Sequence, residues 1–373
     1  MLYQTHALIH LENLKFNLDN IRKLIGSERK ILLTVKAQAY GHGAVEVAKF
    51  AEENGVNWLA VATVPEAIEL RNAGIKLPIL KLSHIFPEEM EAAINANLST
   101  AAVSIDNILQ LNETAKKMGK KAKIHIAVDI GMGRIGVTPE DAWKLTDEIL
   151  HGCSNLDLEG IFTHLPVSDE SNKSFTQRQV ERFKKCVADI EEKMHFKFPL
   201  VHCANSAAVL AHPDSWCNMV RPGIIVYGYY PSDEVEHTFE IKPVLELKSR
   251  VSFIKKVPRG SSIGYGRTWV APEECIIATI PIGYADGYNR LFSNTGKVLI
   301  NGRAYPVVGR VCMDQIMCNL GSNNEIKVGD EVVLIGKSGD EIITAEDLAK
   351  QLGTISYEVT SLINHRVVRY YTR

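Results

Sequence analysis

The sequence predicts an α/β fold: a (β/α)8 barrel of the TIM type followed by a mostly β C-terminal domain. Over about the first 230 residues, apolar segments typical of buried strands alternate eight times with segments typical of helices. After about residue 238, short strands are separated by Gly, Pro, Asn and Asp, and no clear helix follows before residues 344–352. Eight parallel strands, each followed by a helix, close into a barrel. We therefore assign residues 1–238 to the barrel and residues 239–373 to the β domain.

The first unit of the barrel shows the pattern most clearly. The β-branched run 30–36 precedes the segment 44–55, in which apolar residues keep helical spacing and Gly55 marks the end of the helix. In the fifth unit, Thr138 is the expected N-cap and Pro139 lies in the first turn. The other predicted barrel strands lie within 56–63, 77–83, 98–104, 123–129, 156–164, 200–205 and 218–223. The predicted strands of the β domain lie within 245–257, 275–284, 297–309, 315–320 and 330–336.

The composition is that of a globular protein. Hydrophobic residues make up 46% of the 373 residues and charged residues 23%, which excludes a disordered or collagenous chain. The net charge of −2 argues against a nucleic-acid-binding protein. No apolar run is long enough to cross a bilayer, and the first twenty residues lack the apolar block of a signal peptide. Seven scattered cysteines without a C-x-x-C pair predict reduced thiols, a cytoplasmic location and no metal site.

Polar residues follow the ends of several predicted barrel strands. The carboxyl ends of parallel strands meet at one rim, where barrel enzymes have their active sites. We therefore expect one site that contains Lys36, Arg134, His164, Asn205, Ser206 and Arg221.

Lys36 has the sequence context of a cofactor-binding lysine. An ammonium at the end of a buried strand is unfavourable unless it is neutralised or used. Tyr40, Gly41 and Gly43 follow closely and precede a helix, an arrangement that allows a phosphate to approach the backbone. These residues favour a Schiff base to pyridoxal phosphate. The alternative is a structural lysine that extends its amine to the rim.

The segment GMGRIG, residues 131–136, matches the glycine pattern of dinucleotide-binding proteins. Asp157 and Glu159 lie at a suitable distance along the chain for a ribose contact. However, the predicted helix begins at Thr138, after the third glycine, whereas the nucleotide motif requires the helix to open within it. The pattern favours a loop that directs Arg134 to a substrate carboxylate, which an arginine binds with two parallel hydrogen bonds.

The other rim residues have structural as well as functional interpretations. His164 is either a core histidine or a functional one close to Arg221. Ser206 opens a helix, so its hydroxyl would serve as an N-cap, a phosphate ligand or both. Arg221 precedes Pro222 and Gly223 in the region where many barrels bind phosphate.

In the β domain, tyrosines recur on glycine-rich turns. Tyr265 lies between two glycines, and Tyr284 lies in the segment GYADGY. A half-buried structural tyrosine is the usual interpretation of any one of them. Their repetition in one domain favours a binding edge. Cys312 and Cys318 have no nearby histidine or further cysteine that would make a metal site.

These motifs resemble the alanine racemases, a family of pyridoxal phosphate enzymes with a barrel followed by a β domain. The resemblance covers the whole chain. The motifs occur in the family's order: VKAQAYGHG, GMGRIGV, HCANS, VRPGIIVYG, GYADGY, VCMDQ and the C-terminal ISYEVTSLINHRVVRYY.

The resemblance implies a role for each of these residues. Lys36 would hold the cofactor and act as the base for the D-enantiomer, and Tyr265 would be the base for the L-enantiomer. Arg221 would face the pyridine nitrogen, with His164 linking it to the tyrosine. The positions that match cofactor-binding residues are Tyr40, Asn205, Ser206, Gly223, Ile224 and Tyr357. The positions that match the substrate carboxylate site and its narrow entrance are Arg134, Met313 and Tyr284.

Two segments depart from the family pattern. The family usually has a lysine, often carbamylated, at the position of Ala127, where it steadies the arginine that corresponds to Arg134. Arg134 therefore needs another partner, for which an anion is one candidate. The segment THLPVSDE, residues 163–170, also differs from the family's usual residues. Because both changes lie near the substrate, a serine or broader-specificity racemase is the alternative to alanine.

The resemblance also implies a homodimer in which the β domain of one subunit completes the active site of the other. The implied role is the supply of D-alanine for peptidoglycan. A barrel-type decarboxylase is a weaker alternative because such enzymes place a carboxylate, not an arginine, at the ring nitrogen. A non-catalytic pyridoxal phosphate carrier would not need the β domain and its Tyr265.

Overall fold

A computed structural model describes residues 3–373 of the chain. The chain divides into two compact units. One comprises residues 14–39 and 44–242, and the other comprises the described residues up to Asn13, Tyr40–Gly43 and Pro243–Arg373.

The larger unit is a parallel barrel of eight strands, as the sequence predicts. Seven of them run in chain order from β2 to β8, and β9 pairs with β2 on the other side. A backbone hydrogen bond of 2.8 Å from Arg221 N to Ala204 O connects the chain just beyond β9 and β8. The strands are β2 (Lys30–Thr34), β3 (Trp58–Val61), β4 (Ile79–Lys81), β5 (Ser99–Ala102), β6 (Ala122–Ala127), β7 (Leu156–Phe162), β8 (Leu200–His202) and β9 (Met219–Val220).

One helix precedes β2 and a helix follows each strand from β2 to β8, whereas turns at 224–228 replace the helix predicted after β9. The helix ends agree with the local sequence signals. Thr138 caps its helix by accepting a hydrogen bond from Asp141 N, and Pro139 is in the first turn, as predicted. In the longest helix, buried residues recur every three or four positions, so one face packs inward. The helices are Leu11–Ile25, Ala44–Glu53, Val64–Asn72, Pro87–Asn95, Ile105–Lys117, Pro139–Asp147, Ser174–Met194 and Ser206–Ala211.

The smaller unit is mostly β, as predicted. Its largest sheet has the order β16-β15-β18-β10-β1-β20, and a second sheet has the order β11-β14-β17. The strands are β10 (Leu245–Arg250), β11 (Phe253–Val257), β12 (Ser262–Ile263), β13 (Trp269–Val270), β14 (Cys275–Ile280), β15 (Lys297–Ile300), β16 (Arg303–Pro306), β17 (Ile316–Gly321), β18 (Glu331–Ser338), β19 (Glu341–Ile343) and β20 (Val368–Thr372). Two helices, Ala345–Leu352 and Ser356–Ser361, precede the last strand.

The N-terminal strand β1 (His6–His10) belongs to this second unit, although the predicted boundary placed it with the barrel. It pairs antiparallel with β10 and parallel with β20, so both of its edges are occupied by strands of the β unit. The sequence of β1 contains no signal for partners more than two hundred residues away.

No helix among the described residues combines the length and the apolar composition that a membrane span requires. Within residues 3–373, no group of three or more His, Cys, Asp or Glu side chains is arranged to hold a metal ion.

Candidate active site

Lys36 lies two residues beyond the end of β2, where an unusual left-handed turn begins. Ala37, Gln38 and Ala39 all have φ between 51° and 55° and ψ between 45° and 51°. For residues other than glycine, this conformation costs roughly 1–2 kcal/mol each. Strain of this kind is typical of functional sites, where the surrounding structure must hold it in place.

Two helical glutamates hold the turn. Glu66 Oε1 accepts a hydrogen bond of 2.7 Å from Ala37 N, and Glu69 Oε2 accepts one of 3.0 Å from the Gln38 amide. Ala39 N also donates to Val35 O at 2.9 Å. These bonds fix the backbone that carries Lys36.

The surroundings of Lys36 favour its neutral amine. Burial lowers the pKa of Lys36, and the positive charge of Arg134 lowers it further, while Glu66 acts in the opposite direction. A neutral amine is both a nucleophile and a proton acceptor.

Arg221 is buried and surrounded by neutral hydrogen-bond acceptors. Its NH1 group donates to His202 Nδ1 at 3.1 Å and to His202 O at 2.8 Å. Its NH2 group donates to Thr163 O at 2.6 Å, to Cys203 O at 3.3 Å and to His164 Nδ1 at 3.4 Å. None of these partners is a carboxylate. Burial lowers the pKa of Arg221 to about 10, so the guanidinium remains charged at neutral pH.

His164 is a neutral imidazole in this environment. Burial lowers its pKa to about 3, and the positive charges of Arg221, Arg134 and Lys36 add to the effect. Because Nδ1 accepts from Arg221, the single proton of the ring is on Nε2. The structure therefore brings His164 and Arg221 together, as the sequence predicts.

The structure corrects one structural interpretation of Ser206. The N-cap of the helix Ser206–Ala211 is Asn205, whose side chain accepts from Ala208 N at 3.0 Å. Ser206 is the first helical residue, and its Oγ accepts a hydrogen bond of 2.8 Å from Gly223 N. The Ser206 hydroxyl and the Gly223 amide therefore meet at the barrel rim.

Asn205 also anchors the segment 163–170, which departs from the family pattern. Its amide donates to Leu165 O at 3.1 Å, and its Oδ1 accepts from Ser168 Oγ at 2.8 Å. The altered segment thus contributes a hydroxyl that fixes a predicted site residue.

The loop that carries Arg134 is organised by Asp129. One oxygen of this carboxylate accepts hydrogen bonds from Gly131 N and Met132 N at 2.9 Å and from Gly133 N at 3.1 Å. Burial opposes ionisation of Asp129, but these amides and the charge of Arg134 together hold its pKa below the usual value. The backbone of the loop is therefore fixed without a side chain from position 127.

Ala127 belongs to a buried apolar cluster. Ala101, Ala127 and Phe162 form a buried cluster, against which Leu82, Val103 and Ile135 pack. An anion as the partner of Arg134 therefore stays a prediction of the sequence.

Of the remaining predicted residues, Ile224 is buried in the larger unit, and the others lie in the smaller one. The rings of Tyr40 and Tyr357 are 5.8 Å apart, so the structure brings these two positions together. Tyr265 lies on a short turn between Gly264 and Gly266, both with φ near 70°, and is 72% exposed.

Tyr284 and Met313 are neighbours in the smaller unit. Tyr284 N donates to Cys312 O at 3.1 Å, and Ala285 N donates to Met313 O at 3.0 Å. A Cβ atom at Gly283 would lie 2.2 Å from Met313 O, so this close approach requires glycine. The buried carboxylate of Asp286 also stabilises the turn by accepting a hydrogen bond of 2.9 Å from Gly283 N.

Sequence reasoning missed His125, His202 and Asp286, all of which are fully buried. His125 lies between two isoleucines inside β6, and His202 is the last residue of β8; a histidine in a mostly apolar strand is the signal that could have identified them. Asp286 lies inside the GYADGY motif and is its one acidic residue, which is the signal that could have identified it.

Comparisons with known proteins match the chain to one family over nearly its full length. The family described as "Alanine racemase, N-terminal domain" matches residues 9–231, and "Alanine racemase, C-terminal domain" matches residues 244–371. A protein of Cutibacterium acnes named "Alanine racemase" is 49% identical over 369 residues, covering 98% of this chain and 97% of the relative. A protein of the same name from Desulforamulus reducens is 44% identical and covers 98% of both chains.

Solved structures agree with this match. The alanine racemase of Clostridium difficile 630 superimposes with a TM-score of 0.94 at 45% identity, covering 99% of this chain and 96% of that one. Its complex with cycloserine superimposes with a TM-score of 0.93 at 44% identity, with the same coverage.

Proposed function

The chain belongs to the alanine racemase family and interconverts L- and D-alanine, and we propose that Lys36 and Tyr265 are its two bases and pyridoxal phosphate is its cofactor. The observation that best supports these assignments is the position and environment of Lys36. Lys36 is a half-buried lysine at the carboxyl end of a barrel strand, and its surroundings favour the neutral amine.

The residues of the barrel rim fit pyridoxal phosphate. Arg221 is a buried cation without a carboxylate partner, and among residues 3–373 none accepts a hydrogen bond from its Nε. A donor of this kind suits an unprotonated pyridine nitrogen. The groups that would hold the phosphate are Ser206 Oγ, Ile224, Tyr40, Tyr357 and Gly223 N, which would exchange its hydrogen bond to Ser206 for one to the phosphate. When bound, the cofactor withdraws electrons from the substrate and stabilises negative charge on its α-carbon.

Racemisation requires that a proton leave one face of the α-carbon and another arrive on the opposite face. We assign removal of the α-proton of D-alanine to the neutral amine of Lys36 and removal of that of L-alanine to the phenolate of Tyr265. In each direction the other residue, in its protonated form, returns a proton to the opposite face. Arg134 would bind the substrate carboxylate together with the backbone of Met313, and Tyr284 would narrow the entrance. His164 keeps its proton on Nε2, which supports its assignment as the link between Arg221 and the tyrosine base.

We also propose that the protein is a homodimer with shared active sites. The support is the exposure of the β-unit residues assigned to the site: Tyr265 is 72% exposed, Met313 53% and Tyr284 43%. Side chains that are this exposed must be covered by another protein surface, here that of the partner subunit, if water is to be excluded from the reaction. The seven cysteines are unpaired, which supports the predicted cytoplasmic location, where D-alanine would be made for peptidoglycan.

Reductive trapping tests the assignment of the lysine. The purified protein, treated with borohydride and digested, should carry the cofactor on the peptide that contains Lys36, and Lys36→Ala should lose both the label and racemase activity. Lys81 provides the control because it is a second buried lysine, located at the end of β4. A label on Lys81, or racemisation at the normal rate by the Lys36→Ala protein, would contradict the assignment.

A further inference from the structure

A row of polar side chains runs from the buried Arg221 through two buried histidines to the partly exposed Glu159. Arg221 NH1 lies 3.1 Å from His202 Nδ1, and His202 Nε2 lies 3.0 Å from His125 Nδ1. His125 Nε2 is buried without a hydrogen-bond partner among the described residues, and Glu159 Oε2 lies 3.7 Å from it. The same Glu159 oxygen accepts a hydrogen bond of 2.5 Å from Ser99 Oγ. The proposed chemistry uses Arg221 alone and gives no role to the other four residues.

The two imidazoles are neutral. Burial lowers the pKa of His202 well below the ordinary value, and the charge of Arg221 adds to this effect. Burial also lowers the pKa of His125, although Glu159 acts in the opposite direction. A neutral imidazole carries one N–H group and one acceptor nitrogen, so each ring can pass a hydrogen bond in one direction only.

Arg221 sets that direction because a guanidinium can only donate. His202 Nδ1 must accept from Arg221, which leaves the proton of His202 on Nε2. That N–H donates to His125 Nδ1, so the proton of His125 is also on Nε2 and faces Glu159. If His125 instead carried its proton on Nδ1, His202 would have to accept at Nε2. Its own Nδ1–H would then oppose the N–H of Arg221, and two buried donors would face each other.

The fold contains specific devices that build this row. The pairing of β6 with β7 shifts register between Ile124 and His125, so Glu159 is an extra residue between the pairs made by Leu158 and Gly160. Such bulges redirect side chains and are frequent next to active sites. A Cβ atom at Gly160 would lie 2.7 Å from His125 Nδ1, so the ring of His125 occupies the place of that side chain.

Aromatic rings hold the two imidazoles in position. Trp58 contacts His125 edge-on with ring centroids 5.3 Å apart, and Phe162 stacks on His202 at the same distance. The other charged group beside Glu159 is Lys123, whose Nζ lies 3.8 Å from Oε1.

We propose that Glu159 is a positioning residue for Arg221 and acts through the two histidines. Its carboxylate can only accept hydrogen bonds, so it favours the same His125 tautomer as Arg221 does from the other end of the row, with the proton on Nε2. Without this acceptor the row would be held from one end only, and Nδ1 of His202 would be less firmly reserved for Arg221. The effect on the reaction rests on the proposed placement of Arg221 at the ring nitrogen, whereas the tautomers themselves do not.

Glu159→Gln is the appropriate variant because an amide has nearly the shape of the carboxylate but can also donate. Lys123→Met is the matched control, since it removes the neighbouring charge and leaves the acceptor. Nitrogen-15 NMR of histidine-labelled, cofactor-free protein reports the tautomers, with His202→Asn used to assign the signals. We expect Nε2–H forms of His125 and His202 in the wild type and in Lys123→Met. In Glu159→Gln, an Nδ1–H form of His125 should appear.

The NMR results decide the inference. An Nδ1–H proton on either histidine of the wild type, or unchanged tautomers in a folded Glu159→Gln protein, would overturn it. The wild-type measurement remains decisive even if the variant fails to fold.

Pyruvate release by the holoenzyme tests the consequence for the reaction. A displaced Arg221 would allow the ring nitrogen to be protonated, which favours a side reaction in which the amino group and two electrons of alanine pass to pyridoxal phosphate, giving pyruvate and pyridoxamine phosphate. Glu159→Gln should therefore release several-fold more pyruvate from alanine per racemisation than the wild type or Lys123→Met. Altered tautomers with unchanged pyruvate release would support the role of Glu159 and count against the placement of Arg221 at the ring nitrogen.

Discussion

Acidification from pH 7 to pH 5 should destabilise the folded protein by about 2 kcal/mol through His164 alone. The pKa of His164 is about 3 in the folded protein, because of burial first and then the charges of Arg221, Arg134 and Lys36. In the unfolded chain the pKa of a histidine is about 6.5. At a pH between these two pKa values, His164 is protonated in the unfolded state and neutral in the folded state. The stability is therefore complete above about pH 6.5 and is lost progressively as the pH falls toward 3.

The full difference between the two pKa values corresponds to about 5 kcal/mol, of which about 2 kcal/mol is lost by pH 5. Other buried histidines contribute to the same acid loss, so the contribution of His164 must be isolated by substitution. His164→Asn removes the titrating group and keeps an oxygen that can accept from Arg221. His151→Asn is the control because the His151 side chain is 70% exposed.

Urea unfolding of the cofactor-free proteins at pH 7 and pH 5 measures the effect. The loss of unfolding free energy on acidification should be smaller by about 2 kcal/mol in His164→Asn than in the wild type, and unchanged in His151→Asn. Equal losses in all three proteins would refute the reasoning, as would an NMR titration in which His164 of the folded protein gains its proton near pH 6.5.

Three further predictions concern the two bases and the turn at Gly283. Tyr265→Phe should abolish solvent-proton exchange at the α-carbon of L-alanine and leave some exchange of D-alanine, measured by NMR in heavy water; equal loss from both enantiomers would contradict separate bases. Lys36→Ala and Tyr265→Phe proteins, each inactive, should regain about a quarter of wild-type activity after subunit exchange, because half of the dimers become hybrids with one intact site; no recovery after proven exchange would show that each site comes from one chain. Gly283→Ala should raise the KM for alanine several-fold in steady-state kinetics, because the added Cβ would lie 2.2 Å from Met313 O, and an unchanged KM would show that Met313 does not form the substrate site.

Much of the fold could be predicted because its signals are local. The barrel follows from apolar strands that alternate with helices, and Thr138 and Pro139 mark a helix start that the structure confirms. The placement of Lys36 and Arg221 after barrel strands also follows from the chain order alone. Contacts within one helix or one strand are encoded by residues a few positions apart, so a pattern along the sequence is enough to identify them.

The details of the site depended on long-range contacts. The sequence allows Ser206 as the N-cap of its helix, but the structure has the neighbouring Asn205 as the N-cap. Ser206 Oγ instead accepts a hydrogen bond from the backbone N–H of Gly223, 17 residues away. The left-handed turn at Ala37–Ala39 contains no glycine, so the sequence does not predict it. It is held by hydrogen bonds to Glu66 and Glu69 of a later helix. Such conformations are stable because of the surrounding structure and not because of their own sequence.

The sequence by itself determined the sequential barrel, the β domain and the residues that match the family's motifs. Only the tertiary structure decided that β1 joins the C-terminal sheet and that Ala127 belongs to a buried apolar cluster. Only the tertiary structure places His125 Nδ1 3.0 Å from Nε2 of His202, which is 77 residues away in the chain. A register shift between β6 and β7 places Glu159 next to this pair. The physical reason is that strand pairing and burial join residues distant in the chain. Whether a buried polar group has a hydrogen-bond partner depends on these long-range contacts and not on the residues next to it in the sequence.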